Sequence, residues 1–486
     1  MKKTLAKIVM HPRWDLFVFL LLALTIRLVL VALYPHYAID DAAITMRYAQ
    51  NLIRGQGFVY NQGERVLGTT TPIYTLVLSG LGLLFGDFFL PTGILNSLID
   101  VGSLTIVYLL FARRGQTRLG VVASGLIGSY IPLLQMPMWR METSLYVFFI
   151  LLTVLAISDG KWHLGAISSG ILMLIRPDGA IVAAVFVLCY LLVKRSFPVT
   201  PMLTMLAVAL PWFLFALVYF GSPIPQSVYA KSIIYTQQAI VEQSASFIRI
   251  LAIGGQYSAG HRLLMLPFVL IGLINAFVDR RWLIPLSLWF VVYVLFYEVS
   301  GIYLFHWYLA PAYVPLLIFF VSGGDRFVKW CLKYAETLRR FEMPLYSLLV
   351  SGVIVIGIVS GYMVSKRLER ESEYFSAPIL IAQWLRDHTP PDVKVCADTI
   401  GFLGLYSDRK ILDVVGLVSP EVISLHEEYL DFYEAYVSIV ERYEPDYCII
   451  RDTELRRIPR AARDRFEHYY VVVLKYGEFN LYARKD

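Results

Sequence analysis

Long apolar runs fill the chain from residue 15 to residue 364, and polar positions gather in the short segments between them. A helix of about 17–25 mostly apolar residues crosses the hydrocarbon core of a bilayer. The run 72–86 is short for a crossing and contains three glycines, so we predict an interfacial or re-entrant helix there. The remaining runs predict about eleven membrane-spanning helices, at residues 15–33, 91–112, 119–137, 143–158, 163–176, 179–193, 201–219, 263–279, 282–300, 303–321 and 343–364.

The pattern changes near residue 366, where charged residues become frequent and short apolar stretches alternate with polar ones. Strands are predicted at 393–397, 411–415 and 447–450, followed by a hairpin of 469–474 and 479–483 that turns at Gly477. Helices are predicted at 379–388 and from Pro420 towards Tyr443. We therefore expect an α-helical polytopic membrane domain at residues 1–365 and a small α/β domain at residues 366–486.

The amino-acid composition also indicates that a large part of the chain lies in a lipid bilayer. Only 16% of the residues are charged and 57% are hydrophobic, whereas soluble domains carry about 25% charged residues. The first apolar run lacks a small-residue cleavage site before Tyr34, so we interpret it as a retained span rather than a signal peptide. The four cysteines lack metal-ligand spacing; Cys396 and Cys448 either pair or remain buried thiols, and we favour buried thiols.

The net charge of +6 reflects membrane topology rather than nucleic-acid binding. Short loops rich in Lys and Arg stay in the cytoplasm. This rule predicts a cytoplasmic N-terminus and an extracytoplasmic C-terminal domain, with long external loops at 34–71 and 221–262. The basic residues that define the cytoplasmic side are Lys2, Lys3, Lys7, Arg113, Arg114, Arg118, Lys161, Lys194, Arg195, Arg280, Arg281, Arg326, Lys329, Lys333, Arg339 and Arg340.

Two adjacent acids, Asp40 and Asp41, follow the first span. Ile44, Tyr48 and Leu52 recur every four residues after them, which predicts a short helix on the membrane surface with the acids at its start. One interpretation is structural, because Asp favours the N-terminus of a helix. The other is catalytic, because an ionised carboxylate within hydrogen-bond reach can take a proton from an acceptor hydroxyl.

Further ionisable residues interrupt the apolar pattern on the same predicted side of the membrane. Placing an ionisable side chain at membrane depth costs free energy, so such residues usually line a polar cavity or form pairs. These residues are Arg140, Glu142, Arg176, Asp178 and His306, with Tyr229 and Lys231 in the second external loop. Simpler interpretations are a turn in which Arg176 and Asp178 bridge each other, a solvated Lys231, and a helix cap formed by residues 69–71.

The sequence lacks the motifs of several common classes of enzyme. It contains no phosphate-binding loop, no zinc-ligand spacing and no nucleophile elbow on the predicted outer side. An enzyme that works outside the cell, away from nucleotide sugars, needs a donor that is activated and already in the membrane. A polyprenyl-phosphate sugar meets both conditions.

The first external loop resembles that of bacterial GT-C membrane glycosyltransferases, in particular the branch with mycobacterial terminal arabinofuranosyltransferases. Protein O-mannosyltransferases and aminoarabinose transferases are more distantly similar. The resemblance is carried by Asp40-Asp41-Ala42-x-Ile44-Thr45-x-Arg47-Tyr48-Ala49-x-Asn51-Leu52 and by Gly55-x-Gly57-Phe58-Val59-Tyr60-Asn61-x-Gly63-Glu64-Arg65-Val66-x-Gly68. Weaker similarity extends to residues 176–179, 223–231, 398–404 and 413–421.

This resemblance implies an inverting enzyme of the cell envelope that moves a sugar from a polyprenyl-phosphate donor to a glycan, lipid or protein acceptor outside the membrane. Asp40 would be the general base, and Asp41 would assist it. From the predicted topology we place the donor phosphate and sugar near Arg176, Lys231, Arg140 and His306, with Tyr229, Glu142 and Asp178 beside them. The adjacent acids are not an Asp-x-Asp pair, so we expect no obligatory metal and no cofactor.

Two other functions remain open from the sequence. The chain could be a transporter or lipid flippase, although it shows no internal repeat and its polar groups gather on one side. It could also be a relative that binds a polyprenyl lipid without catalysis.

Overall fold

The computed structural model describes residues 14–241, 260–300, 304–334, 342–429 and 431–485. Lys2, Lys3, Lys7, Arg339, Arg340 and residues 242–259 of the second predicted loop lie outside these ranges. The helices up to the C-terminal domain are α1 (Trp14–Leu33), α2 (Asp40–Ile53), α3 (Pro72–Phe85), α4 (Phe89–Ala112), α5 (Thr117–Ser129), α6 (Ile131–Leu134), α7 (Met136–Trp139), α8 (Thr143–Ser158), α9 (Trp162–Ile175), α10 (Gly179–Lys194), α11 (Val199–Phe220), α12 (Gln226–Val241), α13 (Gly260–Val278), α14 (Ile284–Ser300), α15 (His306–Tyr334) and α16 (Glu342–His388).

Length and apolar composition make this a multi-pass membrane protein. In the described ranges, six helical segments are long and apolar enough to cross a bilayer: Trp14–Leu33, Phe89–Ala112, Val199–Phe220, Arg281–Ser300, His306–Lys333 and Tyr346–His388. Shorter apolar helices accompany them at Pro72–Phe85, Thr143–Ser158, Trp162–Ile175, Gly179–Lys194 and Leu264–Val278. The predicted helix positions are therefore confirmed for most spans, whereas the six long segments do not by themselves establish eleven crossings.

Three predicted element bounds are wrong. The span predicted at 119–137 is broken after α5, and α6 and α7 each hold a proline, Pro132 and Pro137, near their first turn. Proline has no backbone N–H to continue a helix, so it favours such a new start. The span predicted at 343–364 does not end there, because one helix, α16, runs from Glu342 to His388 and includes the separate helix predicted at 379–388. The helix predicted from Pro420 to Tyr443 is interrupted, because Asp431 caps a new helix by accepting the N–H groups of Tyr433 and Glu434.

Close helix contacts and one buried ion pair hold the membrane domain together. A Cβ on Gly272 would lie 1.9 Å from the Phe319 carbonyl oxygen, so α13 and α15 approach through small residues. Between α1 and α4, Arg27 Nε lies 3.0 Å from Asp100 Oδ2, and both side chains are almost fully buried. The Arg27 Nη1 group also donates to the Gly128 carbonyl at 3.2 Å.

The C-terminal domain is a five-stranded mixed sheet in the order β2-β1-β3-β5-β4. Strands β1, β2 and β3 are parallel, and β5 runs antiparallel to both β3 and β4. The predicted strands and terminal hairpin are confirmed, and Cys396 and Cys448 are buried free thiols on adjacent strands. The elements are β1 (Lys394–Ala397), α17 (Ile400–Ser407), β2 (Lys410–Asp413), α18 (Ile423–Glu428), α19 (Phe432–Tyr443), β3 (Tyr447–Arg451), α20 (Asp452–Arg457), α21 (Arg460–Tyr469), β4 (Tyr470–Tyr476) and β5 (Phe479–Arg484), with single 3₁₀ turns at Arg281–Leu283 and Pro420–Val422.

The C-terminal domain packs directly on the loop between α1 and α3. The Asn61 side chain pairs with the backbone of Ile411, donating to its carbonyl at 2.9 Å and accepting its N–H at 3.0 Å. Arg47 is buried and forms an ion pair with Asp408 at 2.6 Å. Apolar side chains from both parts belong to one buried cluster. The loop that carries the adjacent acids is therefore fixed by two domains.

Candidate functional site

A cavity of about 340 Å³ lies where α2, α12 and the ends of α10, α14 and α15 meet. This volume is within the usual range for a small-molecule site, about 300–1,000 Å³. Its charged lining residues are Asp41, Glu142, Arg176, Asp178 and Lys231. Hydroxyl groups line it from Thr45, Thr69, Thr70, Thr71, Ser227 and Ser232, and aromatic rings line it from Phe296, Tyr297, Trp307 and Tyr308.

Arg176 is the most firmly held cation of the cavity. It follows α9, and its guanidinium makes two hydrogen bonds to the Asp178 carboxylate, from Nε to Oδ1 at 3.0 Å and from Nη2 to Oδ2 at 2.9 Å. The same group lies over the Tyr146 and Tyr308 rings, 4.9 Å from each centroid. A planar guanidinium suits both a two-point carboxylate contact and stacking on aromatic rings. The turn interpretation of Arg176 and Asp178 is thus correct, and the pair also faces the cavity.

One nitrogen of Arg176 is left without a hydrogen-bond acceptor. Nη1 is buried, has no hydrogen-bond partner in the described ranges, and lies 3.9 Å from Glu142 Oε1. Tyr297 completes the cluster by donating its hydroxyl to Asp178 Oδ2 at 2.7 Å. A buried donor without a partner is costly unless a bound molecule or water supplies one. The cavity therefore offers a positively charged N–H group to an anionic ligand.

Lys231 and Asp41 face each other across another part of the cavity. The Lys231 ammonium lies 3.8 Å from Asp41 Oδ2 and 5.5 Å from the Phe305 ring centroid. The Asp41 side chain remains about a third exposed, at 32%. Helix α12 supplies Lys231, and α2 supplies Asp41, so residues 190 positions apart converge here.

The two adjacent acids point in different directions. Asp40 is absent from the cavity lining, and its carboxylate accepts the backbone N–H groups of Gly401 at 2.8 Å and Phe402 at 2.9 Å. Both acids begin α2 as predicted, yet Asp40 caps α17 of the other domain instead of its own helix. Burial raises the pKa of Asp40 to about 7, and the two N–H groups oppose that shift.

Three predicted donor-binding residues lie outside the cavity lining. Arg140 is buried, and its guanidinium donates to the carbonyls of Pro137 at 3.0 Å and Pro35 at 3.3 Å, which fixes the segment after α1. The His306 ring packs on Trp139 with centroids 5.8 Å apart. Tyr229 is exposed, with its hydroxyl 3.5 Å from Glu427 Oε1. The structure therefore brings Asp41, Glu142, Arg176, Asp178 and Lys231 together, but not these three.

Sequence reasoning missed several lining residues. Thr71 precedes α3, but its side chain makes no cap hydrogen bond, and the Thr69–Thr71 segment lines the cavity instead. Tyr297 lies inside an apolar run, and Leu417 lies in the other domain, so neither carried a local signal. Ser227, two positions before the Tyr229-to-Lys231 motif, is a polar residue that could have indicated this part of the lining.

Comparison with solved structures shows which fold this is. The crystal structure of ArnT from Cupriavidus metallidurans bound to undecaprenyl phosphate matches with a TM-score of 0.64 and 13% identity, covering 96% of this chain and 97% of that one. The fold is GT-C-like. A second GT-C-like structure, the Archaeoglobus fulgidus oligosaccharyltransferase in complex with zinc and sulfate, matches with a TM-score of 0.54 and 13% identity, covering 96% of this chain and 73% of that one. The resemblance inferred from the first loop is confirmed for the fold.

Sequence comparison gives a distant relative that matches over part of the chain. A terminal beta-(1->2)-arabinofuranosyltransferase of Mycobacterium tuberculosis (strain ATCC 25618 / H37Rv) is 25% identical over 228 residues, which are 40% of this chain and 34% of that protein. The match thus spans about a third of the length of that relative. A family model described as a domain of unknown function, DUF8728, matches residues 366–485.

Proposed function

We propose that the chain is an inverting glycosyltransferase that moves a sugar from a polyprenyl-phosphate donor to an acceptor hydroxyl at the extracytoplasmic face of the cell membrane. The observation that carries the proposal is the convergence of Asp41, Arg176 and Lys231 on one cavity. The GT-C-like fold supports it, as does the undecaprenyl phosphate bound to ArnT. Acceptors would be glycans, lipids or proteins of the cell envelope.

The cations suit a phosphate leaving group. In a single displacement the acceptor oxygen bonds to the anomeric carbon while the bond from that carbon to the phosphate oxygen breaks, and the electron pair leaves with the lipid phosphate. Preorganised positive groups stabilise the charge that develops there. Arg176 offers Nη1, which has no hydrogen-bond partner in the described ranges, and Asp178 holds its guanidinium in place. Lys231 supplies a second positive charge.

The acceptor proton needs a carboxylate that faces the cavity. We assign this general-base role to Asp41, because its side chain lines the cavity and is partly exposed to it. Asp40 matches the first acid of the family motif, but both its oxygens already accept N–H groups from α17. In our proposal Asp40 is a positioning residue that fixes the start of α2.

The distribution of basic residues supports the orientation. Helix α10 begins at Gly179 beside the cavity and ends at Lys194, and Arg113 and Lys161 lie in the short connections that follow α4 and α8. Basic residues therefore mark the end of the bundle that is remote from the cavity. By the positive-inside rule that end faces the cytoplasm, and the cavity and C-terminal domain face outwards.

A transfer assay in liposomes tests the proposal. The purified protein is given a panel of polyprenyl-phosphate sugars and octyl glycoside acceptors, and released polyprenyl phosphate is measured. We expect turnover with at least one donor, a loss of about 10²–10⁴-fold in Asp41→Asn, and a much smaller loss in Asp40→Asn. Equal activity of Asp41→Asn and wild type would refute the base assignment. Donor binding without turnover across the panel would instead support a non-catalytic lipid-binding protein.

A further inference from the structure

The C-terminal domain contributes a wall of the cavity. Leu417 is buried and lines it, whereas the other lining residues of the described chain precede residue 309. Leu417 lies in the turn 414–418, which follows β2 and sits against the membrane domain. The wall of the site is therefore shared between the two domains.

The turn 414–418 is a rigid structure built on Asp413. The buried Asp413 carboxylate accepts the backbone N–H groups of Val415 at 2.9 Å, Leu417 at 2.5 Å and Val418 at 3.0 Å. Gly416 has a φ of +75°, which glycine adopts at little cost. Three N–H groups on one carboxylate fix the backbone of the turn, and with it the direction in which the Leu417 side chain leaves the chain.

The same turn is held against the segment that precedes α3. A Cβ on Gly68 would lie 2.7 Å from the Leu417 carbonyl oxygen and 2.6 Å from Val418 Cγ1. The Gln226 side-chain amide donates to the Gly416 carbonyl at 3.3 Å. These contacts place Leu417 beside residues 68–71 and the start of α12. Arg176, in contrast, is surrounded by Tyr146, Tyr297 and Tyr308 of the membrane helices.

Ser227 adds a polar group to the same wall. It follows Gln226, lines the cavity and is 4% exposed, and its hydroxyl has no hydrogen-bond partner in the described ranges. A buried hydroxyl normally finds a partner. A sugar hydroxyl held next to Leu417 would supply one.

We propose that Ser227 and Leu417 form the acceptor side of the cavity, so that the C-terminal domain helps to select which sugar acceptor reaches Asp41. This inference rests on the proposed transferase function. The donor phosphate lies near Arg176 and Lys231, and the acceptor enters along the side of the cavity formed by Ser227 and Leu417. Leu417 is a specificity-determining residue in this arrangement, and Asp413 positions it.

Acceptor kinetics and donor binding separate this role from a structural one. With a fixed donor and varied octyl glycoside acceptors, we expect Leu417→Trp to raise the acceptor KM at least 10-fold while kcat stays within 3-fold. Ser227→Ala should raise the same KM about 3–10-fold without lowering the thermal midpoint, because it removes an unsatisfied buried hydroxyl. Binding of undecaprenyl phosphate should stay within 2-fold of wild type in both variants.

Val418→Ala is the matched control, since Val418 is buried in the same turn but does not line the cavity. It should lower stability and leave the acceptor KM unchanged. An unchanged acceptor KM in Leu417→Trp would overturn the acceptor-side inference but not the proposed transferase function. A loss of undecaprenyl phosphate binding as large as the rise in acceptor KM would have the same consequence. Absence of transfer by the wild type would overturn the proposed function and this inference with it.

Discussion

The Gly401 N–H donates to the Asp40 carboxylate at 2.8 Å, across 361 positions of the chain. Asp40 begins the helix that carries Asp41, and Gly401 lies in the first turn of α17 in the C-terminal domain. An acid at the N-terminus of a helix satisfies N–H groups that have no partner within that helix. This contact therefore couples the placement of the candidate base to the docking of the second domain.

Gly401 lies so close to the backbone of Asp40 that we expect a larger side chain at this position to be harmful. A Cβ there would lie 1.8 Å from the Asp40 carbonyl oxygen, so Gly401→Ala must displace backbone. We expect a loss of about 1–3 kcal/mol in the free energy of unfolding and a large loss of transfer activity. Both are measured on protein in detergent, by chemical unfolding and by the liposome assay.

Gly80→Ala is the matched control, because the space around Gly80 in α3 is open. Replacing a helical glycine by alanine in open space stabilises by about 0.5–1 kcal/mol. If Gly401→Ala were as stable and active as Gly80→Ala, the tight cross-domain contact would not exist in solution.

The buried Asp40 carboxyl predicts a pH dependence of stability. Its pKa is raised to about 7 chiefly by burial, whereas the unfolded chain ionises it at the ordinary value of 3.8. The folded state thus holds more protons between these values, so this group makes the free energy of unfolding fall as pH rises from about 4 to about 7. The greatest slope for one proton is about 1.4 kcal/mol per pH unit.

Comparing wild type with Asp40→Asn isolates this titration, since the other ionisable groups are common to both. The stability difference between the two proteins should change across this pH range and level off above about pH 7. A difference that is constant with pH would show that Asp40 keeps an ordinary pKa in the folded protein.

Local patterns were sufficient to predict the elements around the site but not its composition. The four-residue spacing after Asp40 and Asp41 correctly placed α2, because helix periodicity is a local property. Which acid faces the cavity depends on α17, far away in sequence, and no local pattern encodes that choice. Pro132 and Pro137, in contrast, were visible signals for the break that the predicted 119–137 span ignored.

The contrast between local pattern and long-range packing also explains why one of the basic residues predicted to bind the donor lies outside the cavity. Arg176 and Lys231 line the cavity, whereas Arg140 binds backbone carbonyls of the segment after α1. All three looked alike in sequence, as basic residues on one side of the membrane. Only the packing of neighbouring helices distinguishes an arginine that holds the chain from one that faces a ligand.

The Arg27 and Asp100 pair inside the membrane domain should be strongly coupled. Their side chains are each only 2% exposed and meet at 3.0 Å, so removing one leaves a buried charge without its partner. We expect Arg27→Met or Asp100→Leu alone to cost about 3–5 kcal/mol of stability, and the double variant to recover much of it. Additive losses in a double-mutant cycle of unfolding would contradict this coupling.

The Arg176 and Asp178 pair allows donor binding and turnover to be separated. Among its charged lining residues the cavity has three acids, Asp41, Glu142 and Asp178, and two bases, Arg176 and Lys231. Asp178→Asn removes one negative charge near the expected phosphate, so undecaprenyl phosphate binding should tighten by about 3–10-fold at low salt. Turnover should nevertheless fall, because the guanidinium loses its strongest anchor.

Arg176→Lys is the complementary variant, because it keeps the charge but loses both the two-point contact to Asp178 and the stacking between Tyr146 and Tyr308. Donor binding should weaken and turnover should fall at least 10-fold. If the ion pair between Arg176 and Asp178 were only structural, both variants would lower the thermal midpoint. The affinity for undecaprenyl phosphate would then also fall in both variants. Opposite changes in affinity for Asp178→Asn and Arg176→Lys are therefore the result that assigns Arg176 to the donor phosphate.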